Sequence, residues 1–485
     1  MQVNYLICIR LRFFFQKNGF SIHKCKIYHI IVLPKKYFLF LSLKNDELLT
    51  RRRKILLVTL LLLLVSFNPG AQENNIVIIG KLVPQNVRLT NTTPSVMLFS
   101  GVDKIINSFL HKWSIAGASV AVSKDGKLIL AKGFGLADTA SMTDTQPYSQ
   151  FRIASISKLV TAVGIMKLSE DGKLSLDDKV FGPEGILNDP YFSEPKDKRV
   201  YSITVAQLLA HEAGWTQRYG DQMFMSILVT EKMGVKPPAD TKTIVRFALN
   251  KRLHYTPGKG RAYSNLGYSI LGLIIEKVSG MSYENYCRQA ILEPLGIYDM
   301  TIAGNLPSEK APFEVSYYET SDVVLKPSIY GTGEMVTPSY GGNDIRSLGG
   351  AGAWLATAPD LMRLLLAVDG FKTRPDILSD KSIQFMTDNN NGFAPVGWKT
   401  TVGEGTWWRT GSFPGSAGMM KRQSDGISWV VLFNSSAWNG PEIYSYMNNM
   451  MYRVISRINP WPEYDLFNYS LPLPLNSALT EYSKR

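Results

Sequence analysis

Cysteine is nearly absent. Three occur in 485 residues, and two of them, Cys8 and Cys25, lie near the N-terminus. Cys287 is alone in the rest of the chain, so no disulfide can staple the body, and in a helical context it reads as a small core residue. Only five histidines are present, and no Cys/His cluster has zinc-ligand spacing. His211-Glu212 lacks the second His of a zincin helix, so no metal and no cofactor is expected. No apolar run reaches the ~20 residues that a helical membrane span needs. Internal repeats are missing too. The formal charge of +13 looks like a nucleic-acid signature, but its distribution argues otherwise. Twelve Lys and Arg against two acids in the first 54 residues hold ten of those charges, which leaves +3 for everything after them. A basic nucleic-acid face on the body is therefore not expected.

What is present fits a large globular core: 45% hydrophobic and 19% charged residues. Residues 1–44 alternate apolar runs with Lys and Arg and show no helix or strand periodicity; translation from upstream of the true start would account for them. Arg51-Arg-Arg-Lys54, an apolar run over 55–65 and Asn68-Pro-Gly-Ala71 have the layout of a cleaved signal peptide. An uncleaved anchor is the alternative, but the run is short, so no stable membrane span is expected in the mature form. The expected location is periplasmic or secreted. Residues 1–71 are thus leader, 72–100 a polar linker, 101–458 the working domain and 459–485 a tail.

Within that domain, runs at 116–123 and 127–133 flank Lys124-Asp-Gly126, a hairpin signal, and runs at 418–423 and 427–434 flank Ser424-Asp-Gly426. Helical periodicity marks 102–113, 202–211, 268–278, 283–292, 357–368 and 442–458. Strands at both ends with helices between them predict an α+β fold. One antiparallel sheet, assembled from both termini, is flanked by helices and carries an inserted, mainly helical region.

The stretch from Phe151 to Met166 is apolar nearly all round, the mark of a core helix. Ser155 and Lys158 lie three residues apart on one face of it, placing a hydroxyl at a helix N-terminus one turn from an amine. Ser-x-x-Lys alone is weak: Ser193-Glu-Pro-Lys196 matches, but its Pro disfavours a helix. Tyr-x-Asn alone is weak as well, since Tyr283-Glu-Asn285 and Tyr446-Met-Asn448 match within helical runs. Tyr263-Ser-Asn265 differs by following the turn Tyr255-Thr-Pro-Gly258, which places it in a loop that faces a cleft. Arg409-Thr-Gly411 leads into Ser412 on a strand beside the second hairpin. His211 ends an apolar helix and reads as structural. Trp407, Trp408, Tyr330, Tyr340 and Trp354 either wall the cleft or fill the core. No Gly-x-Ser-x-Gly elbow surrounds Ser155, which disfavours an α/β-hydrolase triad.

Ser155-Ile-Ser-Lys158, Tyr263-Ser-Asn265 and Arg409-Thr-Gly411 resemble, in order and spacing, the three motifs of the serine β-lactamase and penicillin-binding-protein superfamily. The resemblance is strongest to its class C and esterase-like branch and runs from about Val102 to Ile458. It implies a β-lactamase/transpeptidase-like fold and a serine hydrolase that works through an acyl-enzyme on Ser155. Lys158 or Tyr263 would be the base, Asn265 would hold Lys158 and a substrate amide, and the backbone N–H groups of Ser155 and Ser412 would receive the oxyanion. Thr410 and Gly411 would line the same strand. Where the superfamily has Lys or His, this chain has Arg409, which cannot act as a base but can grip a carboxylate. The expected partner is a small-molecule or peptide substrate, carboxylate-bearing if Arg409 plays that part. The reaction expected is that of an esterase or a D-amino-acid peptidase or amidase. The alternatives are a β-lactamase proper and a penicillin-binding sensor that deacylates slowly.

Overall fold

The computed structural model describes residues 7–13, 26–32, 88–93, 99–388, 395–402, 405–436 and 442–468. The expected signal segment, most of the linker and the end of the tail lie outside these residues. Two units are present, Met1–Val83 and Pro84–Arg485. In the first, Ile7–Phe13 and Lys26–Val32 pair antiparallel, with Ile7 opposite Val32. No strand was expected there; the β-branched and aromatic residues of both runs supply the propensity.

The second unit is built on a seven-stranded sheet. Its N-terminal part is helix α1 (Ser100–Trp113) and strands β1 (Gly117–Lys124), β2 (Lys127–Asp138) and β3 (Thr143–Asp144). The middle of the chain contributes helices α2 (Ser157–Glu170), α3 (Asn265–Ser279) and α4 (Ala358–Leu366). The C-terminal part supplies strands β4 (Thr400–Val402), β5 (Thr406–Phe413), β6 (Ser416–Arg422) and β7 (Ile427–Phe433), then helix α5 (Ile443–Ile455). The strand order is β4-β5-β6-β7-β1-β2-β3, and each pair is antiparallel. The two termini meet where β7 pairs with β1, Ile427 opposite Lys124 and Phe433 opposite Ala118. This is the α+β sheet that the two hairpin signals predict. The first turn closes with Asp125 and Gly126 both at positive φ, 49° and 78°, which is why Asp-Gly stands there.

Alternation along the strands separates two cores. Val120, Val122, Trp429, Val431 and Phe433 face α1 and α5, meeting Ile106, Leu110, Met447 and Val454. Ala121, Val430, Leu432 and Met420 face the opposite way, into the larger core with α2, α3 and α4. Buried on both faces, β7 has no polar face to offer, hence its composition of Ile, Trp, Val, Val, Leu and Phe around the single Ser428. α2 lies in the large core and is buried over Ser157–Met166 and at Leu168, as its all-round apolar sequence requires. Cys287 is free and fully buried, the core residue expected. Trp354 and Trp407 are buried in the large core, Tyr340 packs against it, and Trp354 Nε1 donates to Tyr283 Oη at 2.8 Å. Ser193–Lys196 forms no helix. Beyond α5, Asp465 Oδ1 accepts from the Leu128 amide at 3.0 Å and Leu466 is buried.

One buried ion pair braces the segment that enters α2. Arg152 Nε lies 3.4 Å from Glu314 Oε1, with the two side chains 1% and 0% exposed. The Arg152 guanidinium also donates to Ser339 O at 2.6 Å and Gly304 O at 2.9 Å, and it covers the Tyr317 ring at 4.3 Å. Tyr317 Oη donates to Glu314 at 2.8 Å. Removing one member of such a pair strands the other charge in the interior. Glu314→Ala is therefore expected to lower unfolding free energy by about 3–5 kcal/mol, measured by urea denaturation. A loss below about 1 kcal/mol would mean that Arg152 is held by the carbonyls alone.

Candidate active site

Four chain segments that are far apart in sequence converge at the N-terminus of α2. Ser155 sits on a 3-10 turn, Ala154–Ile156, that leads into α2 at Ser157. The sequence predicted the first turn of the α-helix itself; the tighter turn shifts the hydroxyl one step ahead of it. Ala154 has φ 46°, a left-handed conformation that costs a non-glycine residue ~1–2 kcal/mol. Tertiary contacts hold it: the Ile153 amide donates to Trp354 O at 3.0 Å, and the Trp354 amide donates to Ser157 Oγ at 3.2 Å.

Ser155 Oγ is 2.6 Å from Tyr263 Oη, while Lys158 Nζ approaches Ser155 Oγ at 3.3 Å. Lys158 has no solvent exposure. Its Nζ donates to Asn265 Oδ1 at 2.7 Å and to Ala351 O at 2.6 Å. Both are pure acceptors here, so two of the amine's hydrogens are committed. The third position points at Ser155. Ser264 caps α3 through its Oγ, which accepts from the Gly267 amide. Asn265 is therefore the first residue of that helix, not a loop residue as expected, and Tyr263 projects from the extended segment before it.

Arg409 on β5 turns inward and is 3% exposed. Its Nε donates to Ser155 O at 2.8 Å and its Nη2 to Tyr263 Oη at 3.3 Å. β5 runs against the nucleophile turn at Gly411: a Cβ there would fall 2.2 Å from Ile153 O and 2.9 Å from Ser155 N. Thr410 is buried and Ser412 exposed on the same strand, and both lie near the Tyr444 hydroxyl. The structure thus gathers Ser155, Lys158, Tyr263, Asn265, Arg409 and Gly411 at one place, with Thr410 and Ser412 on the same strand as the last two.

Electrostatics follow from that crowding. Burial pushes the Lys158 amine down to about 8; Tyr263 opposes the shift and Arg409 adds to it. For Tyr263, burial favours the neutral phenol, but the Lys158 and Arg409 cations outweigh it and bring the hydroxyl down to about 8. The residue as a whole is 38% exposed. Its oxygen lies among Ser155, Lys158 and Arg409. Lys158 and Tyr263 titrate as a pair, and once the first proton has left, above pH about 8, the remaining one is shared between them. His211 has its imidazole held neutral, first by burial and then by Arg409 and Lys158. Its ring packs tilted against that of Tyr263, with centroids 4.7 Å and planes 43° apart, and its Nδ1 accepts from the Ser264 amide at 3.3 Å. That is the structural role expected, extended to bracing a site residue.

Sequence reasoning missed Asp221, Gln217 and the Ala351 carbonyl. Asp221 Oδ2 accepts from Asn265 Nδ2 and from Gln217 Nε2, both at 2.6 Å. These residues lie on irregular turns, where no periodicity singles them out. Asp221 caps a short 3-10 turn, and that local cap is the only sequence signal it carries. Among the described residues, no group of three His, Cys, Asp or Glu could hold a metal.

The β-lactamase family profile matches residues 102–449. The chain belongs to the β-lactamase family. Among curated proteins, protein flp of Staphylococcus aureus (strain N315) is 33% identical over 208 residues, 43% of this chain and 38% of that protein. The chain thus spans well under half the length of that relative. Among solved structures, an octameric penicillin-binding protein homologue from Pyrococcus abyssi aligns with TM-score 0.55 at 27% identity, covering 73% of this chain and 77% of its own. The D-amino acid amidase of Ochrobactrum anthropi SV3 aligns with TM-score 0.55 at 22% identity, over 74% and 97% of the two chains, a likeness of fold. Family and fold together support a serine hydrolase of this superfamily.

Gly411→Ala tests the packing of the site. The added methyl must push β5 away from the Ser155 turn. A displacement near 1 Å at a reacting centre costs on the order of 10²-fold in rate. Hydrolysis by this variant is expected to fall by about that factor; undiminished activity would show that the strand has room to spare.

Proposed function

We propose that the protein is a secreted serine hydrolase acting by acyl transfer through Ser155, of esterase or D-amino-acid peptidase or amidase type. The observation that carries this is the 2.6 Å contact between Ser155 Oγ and a Tyr263 hydroxyl flanked by two cations. A serine hydroxyl needs a neighbouring base to attack an acyl carbon. Tyr263 as phenolate accepts the Ser155 proton as the Oγ–C bond forms. Lys158, as ammonium, and Arg409 stabilise the phenolate beforehand. The developing oxyanion is received by the backbone N–H groups of Ser155 and Ser412, a type of contact worth about 10²–10³ in rate per donor. Tyr263 then returns the proton to the departing oxygen or nitrogen, and water reverses the sequence to release the acid.

Lys158 as direct base is the second reading, favoured by the depressed amine and disfavoured by the longer 3.3 Å contact. Arg409 is assigned first to the Tyr263 oxygen and the Ser155 carbonyl, leaving Nη1 as its donor toward a substrate carboxylate. The secreted location is supported by the basic and apolar sequence over 51–71. Among the described residues, no helix is long and apolar enough to cross a membrane.

Below pH about 8 the Lys158–Tyr263 pair holds both protons and offers no base. The value of kcat/KM for a p-nitrophenyl ester is therefore expected to rise with pH through that region, and Tyr263→Phe to lower it by about 10²–10⁴. A pH-independent rate, or a Tyr263→Phe variant at full rate, overturns the Tyr263 assignment. Steady turnover after the p-nitrophenol burst marks a hydrolase; a stoichiometric burst that stops marks the slowly deacylating sensor. Rapid loss of a penicillin's amide band would identify a β-lactamase instead.

A further inference from the structure

The Asn265 side-chain amide lies between two charges. Its Oδ1 faces the Lys158 ammonium at 2.7 Å and its Nδ2 faces the Asp221 carboxylate at 2.6 Å. Only one orientation of the amide satisfies both neighbours, since Asp221 accepts only and an ammonium donates only. Asp221 is itself fixed: Gln217 Nε2 donates to Oδ2 at 2.6 Å, and the Met223 amide donates to Oδ1 at 3.0 Å. None of these donors is cationic, so the carboxylate's charge is not cancelled locally. It reaches Lys158 through the polarised amide, in a setting where buried hydrogen-bond chains reinforce one another.

The other groups around Lys158 act against its charge or are neutral. Arg409 repels it, the Tyr268 ring lies 5.6 Å away with its hydroxyl donating to Leu209 O, and His211 is neutral. Arg261, which acts on His211, is a further cation nearby. Among the described residues, Tyr263 and Asp221 are the anions that act most strongly in favour of this ammonium.

We infer that Asp221 is a positioning residue which orients Asn265 and thereby keeps the shared proton on Lys158, leaving Tyr263 as the phenolate. Asp221 thus selects which member of the pair takes the Ser155 proton. The inference rests on the acyl-transfer reading above but is measurable without turnover.

Removing the anion lets Lys158 lose its proton first. Tyr263 then faces a neutral amine and ionises later. Asp221 reaches Tyr263 only through Asn265 and Lys158, so its direct effect on the phenol is the smaller one. Tyrosinate absorbance is titrated in the full-length protein, with the Tyr263→Phe trace subtracted. Asp221→Asn and Asp221→Ser both remove the charge while keeping a good N-cap for the following turn, so either serves if the other folds poorly. The expected result is that Tyr263 ionises near pH 8 in the parent protein and about one unit or more higher in these variants, with kcat/KM lowered about tenfold. Asp221→Glu, which keeps the charge, is expected to restore the lower ionisation. If Tyr263 ionises in Asp221→Asn or Asp221→Ser at the parent pH or below, Asp221 does not place the proton. A parent protein that shows the expected titration but hydrolyses no ester would instead contradict the proposed function.

Discussion

Burying the amine of a lysine costs several kcal/mol unless fixed acceptors replace water. Lys158 is buried without exposure, and its acceptors come from three segments: the turn at Ser155, the start of α3 at Asn265 and the loop carbonyl of Ala351. Each segment must therefore be held to within a few tenths of an ångström. The apolar surround of α2 does this on one side, and β5, lying against the turn at Gly411, does it on the other. The same desolvation that makes the amine costly to bury also makes it easy to deprotonate. Stability and reactivity at this site thus have one physical source.

Charge is arranged around that amine in a graded way. Arg409 is fixed on the Ser155 carbonyl and within reach of the Tyr263 hydroxyl, so its permanent charge favours the phenolate and disfavours a second cation nearby. Asp221, one hydrogen bond further out, opposes that pressure on Lys158 through Asn265. A Lys or His in place of Arg409 would itself be able to lose its proton. With Arg there, the protons that can move at this point belong to Ser155, Lys158 and Tyr263.

Much of this was legible in the sequence because it is periodic or rests on local turn chemistry. The two Asp-Gly hairpins, the strand runs of β1 and β7 beside them and the all-round apolar α2 each specify their own structure. The spacing of Ser155 and Lys158 likewise needs only helix geometry. The direction of Arg409 was not legible: a strand residue's face can be read, but whether its guanidinium bends inward depends on what waits there, here the Ser155 carbonyl. Asp221 and Ala351 were hidden for a related reason. They lie on irregular turns and act through a side-chain relay and a backbone carbonyl, neither of which leaves a pattern. The 3-10 start before α2 was missed because the left-handed Ala154 is held by Trp354 and Ser157, contacts that are tertiary.

The central claim is that one hydroxyl, that of Ser155, is the group activated by this arrangement. The most direct measurement is intact-mass labelling with a fluorophosphonate, followed by peptide mapping. A single adduct on Ser155 in the parent protein, and none in Ser155→Ala, is the predicted result. An adduct retained by Ser155→Ala, or mapped to another residue, would contradict the account.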